Sequence, residues 1–263
     1  MDRVTRWIAK AALVFLYVPI VAVVVYSFNA SATTSRWSGF SLKWYSEVFT
    51  DRALLRTVQT SFTVGVVAAA VATAVGCLTA FGLTRYRVKG RALFLGAILL
   101  PLILPEIVLG AALLTVFSTV QLPLGVPTIV LGHIVISLPL TTLILMGAIS
   151  SLDGSLSEAS ADLGCTPWQT FVRVLFPLLR SSILAAFLLA FTTSFSNIVI
   201  STFTSGVGST TMPLRIYSLL KTGITPEINA LGAMLILATV LLIFAVGLRQ
   251  MRRILVGYDS STR

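Results

Sequence analysis

Between Arg56 and Arg85 the chain carries no charged side chain, and from Ala92 to Leu152 its only ionisable residues are Glu106 and His133. A water-soluble fold does not hide runs of that length, because charged residues recur wherever its helices meet solvent. In hydrocarbon the demand is different: every backbone polar group needs a partner within the segment, and a helix supplies one. A helix rises about 1.5 Å per residue, so roughly 20 residues cross the membrane. The runs predict an all-α polytopic membrane protein of one transmembrane domain, 1–263, with six spans at 9–28, 60–84, 92–119, 127–149, 178–201 and 228–248. Gln121-Leu-Pro-Leu-Gly125 supplies the turn within the longest run.

Composition agrees, with 56% hydrophobic and only 11% charged residues. The formal charge of +10 would suit nucleic acid, but the 19 basic residues lie in the gaps between apolar runs, which is a pattern of membrane orientation. Six spans put both ends on one side. Assigning that side to the cytoplasm places 13 of the 19 basic residues inside. They are Arg3, Arg6 and Lys10, the cluster Arg85, Arg87, Lys89 and Arg91, then Arg173, Arg180, Arg249, Arg252, Arg253 and Arg263. The expected topology is therefore N-in and C-in, with residues 152–177 in the cytoplasm. Ala30-Ser31-Ala32 has the small residues of a signal-peptidase site, but the apolar run from Ala11 to Tyr26 is longer than a usual signal core and reads as a retained first span. In the polar loop after it, Leu42, Trp44, Tyr45, Val48 and Phe49 predict a short helix at the headgroup level. Cys77 and Cys165 are far apart with no second thiol or histidine nearby, so they indicate neither a metal site nor a disulfide framework.

The most structured polar stretch is Glu158 to Pro177, EASADLGCTPWQTFVRVLFP. Ser155 with Glu158 three residues on has the form of a capping box, and Leu156, Ala159 and Leu163 share one helical face. Gly164 comes next as a helix stop, and Thr166-Pro167-Trp168-Gln169 is a second start. Phe171, Val172, Leu175 and Phe176 then recur at helical spacing up to Pro177, which is expected to end the helix. The prediction is two short helices joined at Gly164.

This stretch resembles the loop shared by the membrane subunits of ABC importers: Glu-Ala-Ala, three residues, Gly, nine residues, Ile, any residue, Leu-Pro. Glu158, Ala159, Gly164, Val174, Phe176 and Pro177 fall on that spacing, with Ser160, Val174 and Phe176 as mild departures. In that family the loop is a coupling helix seated in a groove of a cytoplasmic ATPase. The resemblance thus implies ATPase coupling for Glu158, Ala159, Gly164, Phe171 and Pro177. Over nearly its whole length the chain is similar to permease subunits of the spermidine/putrescine type, on Gly39-Phe-Ser-Leu-Lys-Trp-Tyr45, Pro105-Glu-Ile-Val108, Met212-Pro-Leu-Arg-Ile-Tyr-Ser218 and Gly223-Ile-Thr-Pro-Glu-Ile-Asn-Ala-Leu231. This similarity implies a type I importer fold in a bacterial plasma (inner) membrane. It also implies a second, distinct permease subunit, two ABC ATPase subunits and an extracytoplasmic solute-binding protein. Polyamines are the implied substrate, but Ser196 and Asn197 stand where polyamine members can carry adjacent aspartates, which keeps another small polar solute open. No Gly-x-x-x-x-Gly-Lys-[Ser/Thr] loop occurs, so ATP and Mg belong to the partner ATPase, and this chain is expected to bind no cofactor, metal or nucleic acid.

Candidates for the substrate path are Glu106, Thr193, Ser194, Ser196 and Asn197. Glu106 comes after Pro101 and Pro105, which remove backbone donors and bend the third span; an acid at that depth lines a path, pairs with a buried cation, or sits near the outer interface. His133, the only histidine, reads either as a hydrogen-bonding strut or as a path-lining group. Ser194, Asn197 and Ser201 share a helical face that serves as a packing seam or a pore face. Two other classes fit less well. An intramembrane metalloprotease needs a His-Glu-x-x-His pair that one histidine cannot supply, and a gradient-driven secondary transporter often shows two similar halves, whereas no repeat is visible here.

Overall fold

Every regular element among the described residues, which are 3–31, 36–223 and 226–241, is a helix in this computed structural model; the sole bridge pair among them joins Asn29 to Phe40. In chain order these are α1 (Arg3–Tyr26), α2 (Lys43–Thr50), α3 (Arg52–Arg85), α4 (Arg91–Ile103), α5 (Glu106–Thr119), α6 (Val126–Ser150) and α7 (Ser155–Asp162). Next come α8 (Pro167–Thr170), a π-helical turn (Phe171–Leu175), α9 (Phe176–Ser196), α10 (Val199–Thr204), α11 (Met212–Thr222) and α12 (Pro226–Leu241). Among the described residues four stretches are long and apolar enough to cross a membrane: α1, α3, α6 and the continuous helix Pro167–Ser196. The pair α4 and α5 makes a fifth if counted as one bent span.

The chain divides into two units. In the unit of residues 1–55 and 216–263, the loop after α1 is held by its own polar groups: Trp44 Nε1 donates to the Asn29 carbonyl at 2.7 Å, and the hydroxyls of Ser27 and Tyr45 lie 2.7 Å apart. Phe28 stacks on Phe40 with ring centres 5.1 Å apart. The predicted interfacial helix exists as α2, but Trp44 and Val48 are buried with Leu54, Ala230 and Leu231, leaving Leu42 and Phe49 as its exposed apolar residues. Part of the expected sixth span, 242–248, lies outside the described residues.

In the unit of residues 56–215, α6 packs against α4, α9 and α10, and α10 packs against α5. Cys77 and Ala80 of α3, Leu145 and Ile149 of α6, and Leu175, Leu179 and Ala186 of the last long helix form the buried core. Small residues let these backbones approach, as membrane packing requires. A Cβ on Gly76 would come within 2.5 Å of Thr141 Oγ1, which itself donates to the Ala72 carbonyl at 2.9 Å.

Three local readings differ from what is observed. Over 92–119 the chain makes two helices bent by 109°, because Leu104 and Pro105 are extended (ψ 140° and 132°) and Pro105 has no donor to carry the helix through. In place of a helix running to Ser201, α9 stops at Ser196; Asn197 is extended (ψ 116°) and α10 starts again at Val199. Pro177 does not end a helix. Its ring leaves the Arg173 carbonyl without an i+4 donor, and the chain widens instead into the π-helical turn, where the Phe176 N–H reaches the Phe171 carbonyl. The helix then continues to Ser196.

Candidate functional site

Within residues 152–177 the chain turns at Gly164 between two helices, as the spacing predicts, but only the first, α7, is short; the second is the start of the helix that continues to Ser196. Asp153 begins it: Oδ1 accepts the Ser155 N–H at 3.0 Å. The expected capping box of Ser155 and Glu158 is absent, and Gly154 stands at the cap position with no side chain to offer. Asp153 reaches the free donor first. The hydrogen bonds from the Ser155 backbone and side chain, with Arg85 adding its charge, hold the Asp153 carboxyl below the ordinary range. Arg85, at the end of α3, donates over 3.5 Å and 3.4 Å to the carbonyls of Ile149 and Leu152 at the C-terminus of α6, where a cation also suits the helix dipole.

The end of α7 is a Schellman motif. Gly164 has φ +81°, its N–H bonds the Ala161 carbonyl at 2.9 Å, and the Cys165 N–H bonds the Ser160 carbonyl at 3.1 Å. Thr166 and Gln169 then form the predicted capping box: the Thr166 N–H donates to Gln169 Oε1 at 2.9 Å, and the Gln169 N–H to Thr166 Oγ1 at 3.3 Å. A contact that spacing did not reveal locks the two helices. The buried hydroxyls of Ser160 and Thr170 lie 2.8 Å apart across the turn. Phe171 is buried, 5.1 Å from the ring of Phe81 on α3 and 5.7 Å from that of Trp168. This joint ties the segment to the membrane helices. Its outer surface presents Glu158, Ala159, Leu163 at 85% exposure and Trp168 at 65%. Pro177 is exposed just past the π-helical turn.

Within the membrane-spanning part, the five path candidates are not gathered in one cavity. Glu106 is the first residue of α5, directly after the 109° bend, and exposed on the surface of this chain. Ser196 is exposed and Thr193 half-buried, whereas Ser194 and Asn197 are buried. The buried pair belongs to a network centred on His133, which is 1% exposed. Its Nδ1 lies 2.6 Å from Ser194 Oγ and its Nε2 3.1 Å from Ser201 Oγ. Ser201 Oγ donates to the Asn197 carbonyl at 2.9 Å, and Asn197 Oδ1 accepts the Ile200 N–H at 2.8 Å. The strut reading of His133 matches this geometry. What spacing missed is that the ring joins both sides of a helix break, because only the isolated Asn197 hinted that α9 would stop.

The all-helical bundle with its helix–glycine–helix segment gives the fold, and the relatives of the chain give its class, a membrane transport subunit. Residues 72–255 match the family of the binding-protein-dependent transport system inner membrane component, and the chain belongs to that family. It is 36% identical over 229 residues to the spermidine/putrescine transport system permease protein PotC of Haemophilus influenzae, covering 87% of this chain and 89% of that one. To PotC of Escherichia coli it is 34% identical over 235 residues, 89% of each chain. To the putrescine transport system permease protein PotI of Escherichia coli it is 36% identical over 229 residues, 84% of this chain and 82% of that one. Its fold is that of the bacterial alginate ABC transporter, whose crystal structure with a periplasmic protein bound to an alginate pentasaccharide superposes with TM-score 0.72 at 16% identity, over 94% of this chain and 95% of that one. A second alginate importer structure gives TM-score 0.66 at 16% identity, over 95% and 98%. The chain is a multi-pass protein of the bacterial inner membrane.

Proposed function

We propose that this chain is the permease subunit of an ATP-driven, binding-protein-dependent importer of polyamines. The observation that carries the substrate is the identity of about one residue in three, over most of both chains, to permeases of spermidine and putrescine transport systems. In this reading six spans lie N-in and C-in, so that the segment from Glu158 to Pro177 meets the cytoplasm. Glu158, Ala159, Gly164, Phe171 and Pro177 form or position the surface that engages an ATPase, with Leu163 and Trp168 as its exposed apolar contacts. This chain hydrolyses nothing; ATP and Mg are bound by two partner ATPase subunits. A second, distinct permease completes the pathway, and an extracytoplasmic solute-binding protein delivers the substrate. Closure of the ATPases moves the segment as a rigid unit, because the Schellman turn, the Ser160–Thr170 pair and the Phe81–Phe171 joint leave it no soft hinge. Glu106, Thr193, Ser194, Ser196 and Asn197 line the path or fix its walls.

The departure at Ser196 and Asn197 favours a second substrate reading, a small polar solute with fewer charges. Uptake of labelled spermidine and putrescine in the host, with and without this chain, decides between them. ATP-dependent polyamine uptake that disappears with the chain is the expected result. Unchanged polyamine uptake with loss of growth on another solute would move the substrate class. Uptake that survives ATP depletion but collapses with the ion gradient would remove the importer reading itself.

A further inference from the structure

A helix broken inside a membrane leaves carbonyls at one end and N–H groups at the other without intrahelical partners, and no water in the hydrocarbon replaces them. The break between α9 and α10 is such a place, and the side chains around it divide the task. Asn197 takes the Ile200 N–H on its Oδ1 at 2.8 Å, and its own N–H reaches the Ser194 carbonyl at 3.2 Å. Ser201 Oγ lies 2.9 Å from the Asn197 carbonyl and 3.1 Å from His133 Nε2, and Ser194 Oγ lies 2.6 Å from Nδ1. A neutral imidazole has one donor and one acceptor nitrogen and a hydroxyl can play either part, so in either tautomer the ring bonds both serines at once. The bonds join Ser194 on α9, the ring on α6 and Ser201 on α10, which also reaches the carbonyl at the break.

Packing holds the ring there. Gly132, beside His133, leaves room for Ile200: a Cβ at that position would lie 2.6 Å from Ile200 Cγ2. His133, Ser194 and Ser201 are each at least 97% buried, so loss of the ring takes the Ser194 hydroxyl's partner away in an apolar interior and leaves Ser201 only its bond to the Asn197 carbonyl. On the same arm as Ser194, Ser196 is exposed and Thr193 half-buried.

We propose that His133 is a positioning residue for transport: by bonding Ser194 and Ser201 at once it fixes the two arms of the broken helix, so that Thr193 and Ser196 are presented to the substrate path in one geometry. This rests on the importer reading for the path itself, while the geometric part stands apart from it.

The test uses the complete transporter in proteoliposomes, with spermidine as the probe. For His133→Ala, spermidine moved per ATP hydrolysed is expected to fall about tenfold, the factor that loss of one buried hydrogen bond carries. Hydrolysis stimulated by the loaded binding protein should stay within about twofold of wild type, on the same order-of-magnitude basis. His133→Gln, which keeps a donor and an acceptor on one side chain, recovers most of the loss. Ser201→Ala adds little on top of His133→Ala, since both act through one chain of bonds. A second readout needs no transport: the maleimide labelling rate of Ser196→Cys, with Cys77 and Cys165 replaced by alanine, changes severalfold in His133→Ala and returns in His133→Gln. Uptake and hydrolysis that fall together with the amount of assembled complex, or labelling that His133→Ala leaves unchanged, would overturn the proposal. If the wild-type complex moved no spermidine, the polyamine reading would fail and the labelling rate would still decide for or against the positioning role.

Discussion

Gly164 sets the turn between the two helices of the segment from Glu158 to Pro177. Its φ of +81° belongs to the left-handed region, and a Cβ there would meet nothing within 4 Å, so a substitution is opposed by the backbone alone. Gly164→Ala should cost about 1 kcal/mol of local stability, with Gly164→Asn milder. Gly164→Pro cannot adopt that φ and should abolish ATP-driven uptake while the chain still inserts; uptake assays on membranes with matched protein levels check all three. This glycine was legible in the sequence because only a helix stop explains a glycine between two amphipathic turns. The start of α7 was not. Ser155 with Glu158 satisfies the capping pattern, yet the Asp153 carboxylate lies nearer the free Ser155 N–H, and a spacing rule cannot weigh two competing acceptors. Because the Asp153 carboxyl is held below its ordinary range, the cap is fully present above that range and is lost only as pH falls through the lowered value, which leaves α7 insensitive to pH across neutrality.

At the scale of elements, prolines were legible as disturbances but their outcomes were not. Pro101 and Pro105 announce a bend in the third span; the bend of 109° depends on how α4 and α5 each pack, which no local pattern states. Pro177 has the pattern of a helix end and instead produces a π-helical turn, because the apolar face resumes beyond it and the buried Leu175 and Leu179 hold the helix on course. One extra residue in a turn rotates everything before it by roughly 100° relative to the span. Pro177→Ala restores the missing donor, lets the turn regularise and so, in the proposed coupling role, swings the Glu158–Leu163 surface away from the ATPase. The expected outcome is a transporter whose ATP hydrolysis no longer depends on the loaded binding protein and whose uptake is lost; strict coupling in Pro177→Ala would show that the π-helical turn has no mechanical role. The break at Asn197 had the weakest trace of all, one amide in an apolar run, since its stabilising partner His133 lies on a helix more than 60 residues away.

For the whole molecule, the helical class and the family were legible because length, apolarity and the Glu158–Pro177 spacing are local properties of the chain. The buried connections were not: Ser160 to Thr170, Phe81 to Phe171 and His133 to both arms of a broken helix all arise from tertiary packing. Orientation is the first prediction at this scale. Cysteines placed singly at Lys89 and Asp162 should react with a membrane-impermeant reagent only from the cytoplasmic face, and one placed at Lys43 only from outside. Labelling of Lys89→Cys and Lys43→Cys from the same face would reject N-in, C-in.

The measurement that tests the central claim most directly is a cross-link from Leu163, the most exposed apolar residue of the segment, in the complex purified from its host membrane. With a photo-reactive side chain at Leu163, a coupling role predicts a covalent adduct to an ATPase subunit that shifts or weakens when ATP is bound. The same probe at Phe49, which is exposed on α2, should give none. If Leu163 yielded no ATPase adduct in a complex that contains the ATPase, or reacted only with lipid, the segment would not be the coupling surface, and the role given to this chain would be contradicted at its centre.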